Sequence, residues 1–559
     1  MPPVVTVIAL LAAVVALAAL ARRIGVAYPI LLVVGGLALS FIPRLPSIAL
    51  DPDVVFFVFL PPLLFSAGYS TSLRDFRANL RPIGVLAIGL VLTTACGVAA
   101  IAHAVIPSLS WPAAFVLGAV VSPTDPVAAT AVMRRLGLSR RLLTVIEGES
   151  VVNDATGLAV SRVAVAAVVT GAFSAGAATL VFVAVIVVGG LVGAGVGWAA
   201  GRLLRFTDDE PTMIALTLLV PYVAYLSASA LETSGILAAA SAGLVFRHAV
   251  SRYATPRARV QARAVWDLLV FLLNGILFIV TGLELPQVWP SLPSSAHATA
   301  LTLLGYGALI SAVVIGIRFV WVPLVAVFAR WIRGAGDHAF NWRETTVIGW
   351  AGMRGVLSLA AALALPVAAR DGAPFPARGL ILYLTFAVIL ATLVVQGGTL
   401  PLMLRWLRVD DRDDAKREEA EARLAAADAA LMRLGRLHGQ MSDALIDRLR
   451  ESYQSRLSRL SEGSATGECR PDEGQLYGWL RRQALGAERE AVIALRDTGA
   501  IGDDVLQTLE YELDVESLRL AAAYPREEAE RAGHQRTRDP RAETLIQESS
   551  SASGTQASS

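Results

Sequence analysis

Charged residues are scarce in this sequence. Only 17% of its 559 residues are Asp, Glu, Lys or Arg, whereas 55% are hydrophobic. A soluble protein of this length exposes more charge than that, and the same composition excludes collagen-like, coiled-coil and largely disordered chains. The composition therefore predicts a polytopic membrane protein.

Cysteine is almost absent as well. The two cysteines, Cys96 and Cys469, exclude a disulfide framework, and their spacing excludes a thiolate zinc site. The net charge of +2 gives no indication of a nucleic-acid partner. No G-x-G-x-x-G motif follows a strand-like run, so we expect neither a nucleotide partner nor a cofactor.

The few charges are unevenly distributed along the chain. They are sparse over residues 1–407 and dense from Arg408 onward. The first part contains about 13 apolar stretches, each long enough to cross a bilayer as a helix of about 20 residues. Residues 408–534 have the spacing of a helical tail, either a solvated appendage or a regulatory or dimer-stabilising element. Residues 535–559 have few large apolar groups and are expected to be disordered.

Arginine distribution predicts the orientation in the membrane. Loops after odd-numbered stretches hold most of the arginines, and loops after even-numbered stretches hold few. The positive-inside rule then places the N-terminus outside and the tail in the cytoplasm. The first stretch lacks a basic n-region and is followed by Arg22 and Arg23, which favours a retained span over a signal peptide.

The fifth apolar stretch contains the sequence GAVVSPTDPVAATAV at residues 118–132. Pro123 and Pro126 each remove a backbone donor and disfavour helix in the preceding residue. A kinked continuous helix is one interpretation. We favour an interrupted helix, because Asp125 would complement the exposed N–H groups at the start of a second half-helix.

The sixth stretch contains an unusual number of polar side chains. Within VIEGESVVNDATGLAVSRVAV at residues 145–165, helical spacing groups them on one broad face. For Glu147 and Arg162, a buried network that fixes helix packing is a good explanation. For Asp154, which has few cationic neighbours in sequence, we favour a transport role, because ionisable groups inside a span usually face an internal path.

The twelfth stretch, TTVIGWAGMRGVLSLAAAL at residues 345–363, holds an intramembrane arginine among glycines. The glycines could allow close helix packing, but their position around Arg354 indicates a second interruption. Arg354 would either complement exposed carbonyl ends or pair with Glu149. Two breaks seven spans apart predict inverted repeats with crossed broken helices, the architecture of secondary transporters.

The chain resembles the exchanger branch of the monovalent cation:proton antiporter superfamily, the sodium/proton antiporters, in a bacterial form. The resemblance is most specific in SPTDPVA followed by ESVVNDA. The matching segments are FFVFLPPLLFSAGYSTSLRDFR (56–77), VVSPTDPVAATAVMRRL (120–136), IEGESVVNDATGLAV (146–160), FLLNGILFIVTGLELP (271–286) and GWAGMRGVLSLA (349–360).

The resemblance implies a core domain that carries one ion site and moves against a dimerising scaffold. It implies that Asp154 binds the cation and the proton, and that Glu149, Ser150 and Thr124 help to bind Na⁺ there. It further implies supporting roles: Asn153 beside the aspartate, and Asp125 and Arg354 at half-helix ends. In some relatives the third span carries a glutamate that pairs with this arginine, and this third span has none.

These features predict an all-α secondary antiporter, not an enzyme, that exchanges Na⁺, Li⁺ or K⁺ for H⁺ across the plasma membrane. Because the amide of Asn153 cannot titrate, we expect one proton to exchange for one cation at Asp154. The expected partners are the cation, protons, membrane lipid and a second copy of the chain. The alternatives are a K⁺/H⁺ antiporter of the same fold and a non-transporting sensor or scaffold.

Overall fold

The regular elements in the described residues are helices. The computed structural model describes residues 3–41, 51–71, 73–136, 138, 140–171, 174–207, 209–288, 300–333, 341–368 and 374–407, with short pieces of the region after residue 430. The helices in chain order are α1 (Pro3–Ile24), α2 (Tyr28–Ser40), α3 (Pro52–Ser70), α4 (Leu73–Ala78), α5 (Leu80–Val105), α6 (Trp111–Val121), α7 (Val127–Leu136), α8 (Arg140–Thr170), α9 (Ala175–Leu203), α10 (Glu210–Ala230), α11 (Gly235–Tyr253), α12 (Pro256–Val288), α13 (Ala300–Arg333), α14 (Trp342–Trp350), α15 (Val356–Leu363) and α16 (Arg378–Leu407).

Most of these helices have the length and composition of membrane spans. Within the described ranges, nine are long and apolar enough to cross a bilayer, and α2, α6 and part of α11 are shorter apolar helices. The all-helical membrane fold is thereby confirmed, whereas the count of thirteen spans and the inverted repeat stay predictions. Exposed apolar side chains cover α9, as expected of a helix that faces lipid or another subunit.

Both predicted interruptions are present. The first separates α6 from α7 at residues 122–126, and the second separates α14 from α15 at residues 351–355. Three other helices are not interrupted but contain a π-helical segment, in which the backbone hydrogen bonds span five residues instead of four. These segments are Val55–Phe59 in α3, Val85–Leu90 in α5 and Thr392–Gln396 in α16.

Several helix starts follow from local sequence. The Asp209 side chain accepts a hydrogen bond from the Thr212 N–H at 3.0 Å and begins α10. Ser234 Oγ accepts from the Leu237 N–H at 3.2 Å and begins α11. Asn341 and Glu344 form a capping box at the start of α14. Such side chains satisfy N–H groups that have no partner within the helix.

The helices pack in two groups. In the first, α2 packs on α12, and α11 packs on α3, α9 and α10; in the second, α6 packs on α5 and α8, and α13 packs on α5, α14 and α16. We call the first group the scaffold group and the second the core group. They meet where α8 packs on α11 and where α12 packs on α15 and α16. Both interruptions belong to the core group.

The region after the membrane part forms a separate compact unit. The contacts divide the chain into Met1–Ala415 and Lys416–Ser559. Within the second unit, residues 512–521 are helical, and Arg481 Nη2 donates to Glu516 Oε1 at 2.6 Å. Most of the predicted tail at 408–534, and all of the predicted disordered segment at 535–559, lie outside the described residues.

Glycines allow a close helix contact in the scaffold group. Gly36 on α2 and Gly282 on α12 face each other, and a Cβ added to Gly282 would lie 2.6 Å from the Leu37 nitrogen. A Cβ added to Gly36 would lie 3.2 Å from the Cα of Gly282. No side chain fits between these two backbones.

Gly282→Val should therefore separate α2 from α12 and lower the free energy of unfolding by about 1–3 kcal/mol, the usual cost of overpacking. The matched control is Gly305→Val on α13, because a Cβ at Gly305 meets nothing within 4 Å. Thermal unfolding of the purified variants in detergent measures the difference. Equal melting temperatures for the two variants would contradict the close approach.

Candidate functional site

The first interruption is stabilised by its own aspartate. After α6 ends at Val121, the backbone runs through Ser122–Pro126 before α7 begins. Asp125 Oδ1 accepts a hydrogen bond from the Val127 N–H at 2.9 Å, so the carboxylate caps the first turn of α7. The predicted N-terminal role of Asp125 matches this geometry.

The two interruptions contact each other directly. The Asp125 N–H donates to the Met353 carbonyl oxygen at 2.8 Å. In the opposite direction, Arg354 Nη1 donates to the carbonyl oxygen of Ser122. The Asp125 carboxylate also lies against Gly355, where any added Cβ would overlap it. The broken helices therefore cross in the core group and exchange hydrogen bonds at the crossing.

Arg354 occupies the crossing but does not pair with Glu149. Its side chain is buried, and its backbone N–H donates to Thr392 Oγ1, on the π-helical segment of α16, at 3.1 Å. Of the two predicted roles for Arg354, the structure shows the contact with an exposed carbonyl end. The alternative role, pairing with Glu149, is not observed, because another arginine binds that carboxylate.

That arginine is Arg318 on α13. Arg318 Nη2 donates to Glu149 Oε2 at 2.9 Å and Nη1 donates to Glu149 Oε1, while both side chains are only 1% exposed. Arg318 Nε also donates to the Ile348 carbonyl oxygen at the end of α14, at 3.0 Å. Arg318 was not among the site residues predicted from the sequence. The available signal was a single arginine within the apolar run ISAVVIGIRFVWV.

A short chain of hydrogen bonds connects this ion pair to the first interruption. Thr124 Oγ1 donates to Glu149 Oε1 at 3.2 Å. The same hydroxyl accepts a hydrogen bond from Asn153 Nδ2 at 2.6 Å. All three side chains are buried. The amide of Asn153 thus orients Thr124, which lies on the unwound segment.

A cavity of about 400 Å³ opens beside the crossing. The core group contributes Thr124, Asp125, Ser150 and Asp154 to its wall. The scaffold group contributes further polar side chains, which the sequence analysis did not identify. They include Tyr28 on α2 and Asp267 and Asn274 on α12.

The seven predicted site residues divide into two sets. Four of them line the cavity, as described above. The other three are buried and do not line it: Glu149, Asn153 and Arg354.

Asp154 differs from the other carboxylates at the crossing. Asp125 accepts from a helix N-terminus, and Glu149 binds Arg318. Among the described residues, Asp154 has neither a hydrogen-bond nor an ion-pair partner, and it is partly exposed to the cavity. A carboxylate with nearby hydroxyl oxygens is a hard oxygen site, suited to a small cation or a proton.

Comparisons with known proteins identify the family of this chain. The family described as "Sodium/hydrogen exchanger, transmembrane" matches residues 8–406. An uncharacterised Na⁺/H⁺ exchanger of Mycobacterium tuberculosis is 37% identical over 92% of this chain and 96% of its own length. A sodium, potassium, lithium and rubidium/H⁺ antiporter of Bacillus subtilis is 29% identical over 86% of this chain and 72% of its own length.

A solved structure supports the fold independently. The sodium proton antiporter MjNhaP1 from Methanocaldococcus jannaschii superposes with a TM-score of 0.57 and 18% identity, over 73% of this chain and 99% of that chain. At that identity the similarity establishes the fold alone. The family match, which covers most of the chain, and the mycobacterial relative together establish that this protein belongs to the sodium/hydrogen exchanger family of the monovalent cation:proton antiporters.

Proposed function

We propose that the protein is a secondary antiporter that exchanges Na⁺, or another small monovalent cation, for protons at Asp154. The observation that carries this proposal is the Asp154 carboxylate on the wall of the cavity, which has no hydrogen-bond or ion-pair partner among the described residues. An ionisable group without a partner is expensive inside a membrane protein and usually marks an ion path. A pure scaffold or sensor has no need for it.

The charges around the crossing support alternate binding of one cation or one proton. Asp125 and Glu149 contribute two negative charges, and Arg318 and Arg354 contribute two positive charges, so these four groups cancel. Asp154 is the remaining negative group at the crossing itself, and Glu147 and Asp267 are further carboxylates on the cavity wall. Because a bare charge is costly there, Asp154 is most stable when a proton or a monovalent cation neutralises it.

The ligands of the cation would come from the cavity wall. We assign Asp154, Ser150 and Thr124 to this role, since all three line the cavity. Glu149 was expected to bind Na⁺ directly. Both of its carboxylate oxygens accept hydrogen bonds from Arg318, so we assign it a supporting role. In that role it orients Thr124 by accepting a hydrogen bond from the Thr124 hydroxyl. The remaining coordination would come from water and from other oxygens of the wall.

The cavity lies between the two helix groups, as alternating access requires. Core residues carry the proposed site, and scaffold residues such as Asn274 form the opposite wall. Ser70, at the end of α3, belongs to the same cavity. Arginine distribution places that end of α3 on the cytoplasmic side, so we infer an inward-facing cavity, an external N-terminus and a cytoplasmic tail in the plasma membrane. We also infer a homodimer, as the family resemblance implies.

The oxygen ligands proposed for the site are compatible with sodium, lithium and potassium. The Bacillus subtilis relative is named for four alkali cations and MjNhaP1 for sodium, and hydroxyl and carboxylate oxygens bind all of these ions. We propose Na⁺ as the main substrate, with K⁺/H⁺ exchange as the second candidate. Dissipation of a pH gradient in everted vesicles, measured salt by salt, tests both, and no response to any alkali cation would contradict antiport.

Replacing Asp154 should abolish exchange without unfolding the protein. Asp154→Asn keeps the size of the side chain but removes its titration and its charge. We expect loss of cation-dependent proton movement in proteoliposomes, while the melting temperature stays within a few degrees of wild type because the residue has no partner to lose. Asp53→Asn, which makes the same chemical change at an exposed helix start, is the control. Wild-type exchange by the Asp154 variant would refute the assignment.

The buried ion pair should respond as a unit. Glu149→Gln leaves Arg318 unpaired, and Arg318→Met leaves Glu149 unpaired, so each single change should cost roughly 3–5 kcal/mol of stability. The double variant leaves no unpaired charge and should be clearly more stable than the sum of the single losses predicts. Thermal unfolding of the four proteins gives the coupling. Additive losses would mean that the two side chains do not pair.

Exchange should be independent of membrane voltage. Asn153 cannot titrate, so one proton exchanges for one monovalent cation at Asp154 and no net charge crosses the membrane. The measurement is the end point of exchange in proteoliposomes with a potassium–valinomycin potential of either sign, at fixed sodium and pH gradients. The same potassium gradient without valinomycin separates potassium exchange from voltage. An end point that shifts with the sign of the potential would contradict one-to-one exchange.

A further inference from the structure

One buried hydroxyl on the cavity wall has no hydrogen-bond partner among the residues that the structure describes. Several buried side-chain polar atoms lack a hydrogen-bond partner in the described residues, and only one of them, Ser358 Oγ, belongs to a residue that lines the cavity. Ser358 is 1% exposed. It lies in the first turn of α15, three residues after Gly355.

The interruption explains why this hydroxyl is free. Serine and threonine inside a helix usually donate to the carbonyl oxygen three or four residues earlier. Ser311 and Thr392 do so in this protein, with Ser311 Oγ donating to the Gly307 carbonyl at 2.7 Å. For Ser358 the corresponding carbonyls belong to Arg354 and Gly355, which are not helical. The break that forms the crossing therefore leaves Ser358 without its local acceptor.

A free buried hydroxyl needs a polar partner from the cavity. Leaving it unsatisfied is unfavourable, and an oxygen of this kind suits a hard cation or its attached water. The proposed ligands from α8 and the first interruption are Asp154, Ser150 and Thr124. Three residues are fewer than the roughly six or more oxygen ligands that a hard cation such as Ca²⁺ takes in proteins. Ser358 supplies an oxygen from the second broken helix, which also lines the cavity.

We propose that Ser358 is a further ligand of the transported cation and helps to set which alkali cation the protein prefers. This inference rests on the proposed antiport at Asp154. It gives the second broken helix a direct part in binding, in addition to its structural contacts with Asp125. Losing one oxygen ligand should weaken cation binding by roughly tenfold, which corresponds to the loss of one interaction with a charged group.

The first test is the kinetics of Ser358→Ala in proteoliposomes, with LiCl, NaCl, KCl and RbCl as separate probes. We expect the apparent KM to rise by roughly tenfold for the preferred cation, with a different factor for each of the other cations, and Vmax to stay near wild type. Ser311→Ala is the matched control, because Ser311 is buried and outside the cavity and its hydroxyl is satisfied within α13. Unchanged KM values for every cation, or a fall in Vmax alone, would overturn the proposal.

A second variant keeps the proposal testable if the alanine protein folds poorly. Ser358→Cys preserves the size of the side chain but replaces a hard oxygen with a soft sulfur. If Ser358 binds the cation, the cysteine variant should lose affinity for Na⁺ and gain relative affinity for the softer Tl⁺. A residue that only packs would leave the Tl⁺ to Na⁺ ratio at its wild-type value, and that result would overturn the proposal. If Ser358 variants behave as wild type while Asp154→Asn is inactive, the Ser358 proposal alone fails; if wild type exchanges no cation, the antiport proposal fails.

Discussion

A backbone that leaves helical geometry inside a membrane must find hydrogen-bond partners within the protein, and this constraint organises the whole core group. The two interrupted helices provide those partners for each other. The Asp125 N–H donates to Met353, and the Ser122 carbonyl accepts from Arg354. Neither interruption would be stable in the membrane without the other, so the crossing and its charges form one unit.

Charge placement at the crossing follows the polarity of the half-helices. Arg354 binds a carbonyl at the end of α6, and Arg318 binds one at the end of α14. Asp125 lies at the start of α7 and against Gly355, just before α15. The two arginines thus lie at C-terminal ends of half-helices, and the Asp125 carboxylate lies at N-terminal ends, as helix dipoles favour. Glu149 neutralises the charge of Arg318. Asp154, which has no such partner, is available to bind the transported ions.

Much of this arrangement could be predicted from local sequence. Prolines around Thr124 and Asp125, and glycines around Arg354, marked the interruptions because their backbone effects are local. Helical spacing grouped Ser150 and Asp154 on one face. Partners between distant segments could not be predicted in this way, which explains why Arg354 was considered as a partner of Glu149 and Arg318 was not. The scaffold wall of the cavity was missed for the same reason, since Asn274 meets the site only through the packing of α12.

Antiport at Asp154 requires that a cation and a proton compete for the same carboxylate. The most direct test is calorimetric titration of the purified wild-type protein with NaCl, or with the cation that the vesicle assays favour, in buffers of different ionisation enthalpy. These buffers report how many protons leave when the cation binds. At a pH low enough to protonate Asp154, we expect one proton to be released for each cation bound. We also expect the apparent Kd to rise about tenfold for each unit of further acidification. Cation binding without proton release, at an affinity that does not change with pH, would contradict this competition.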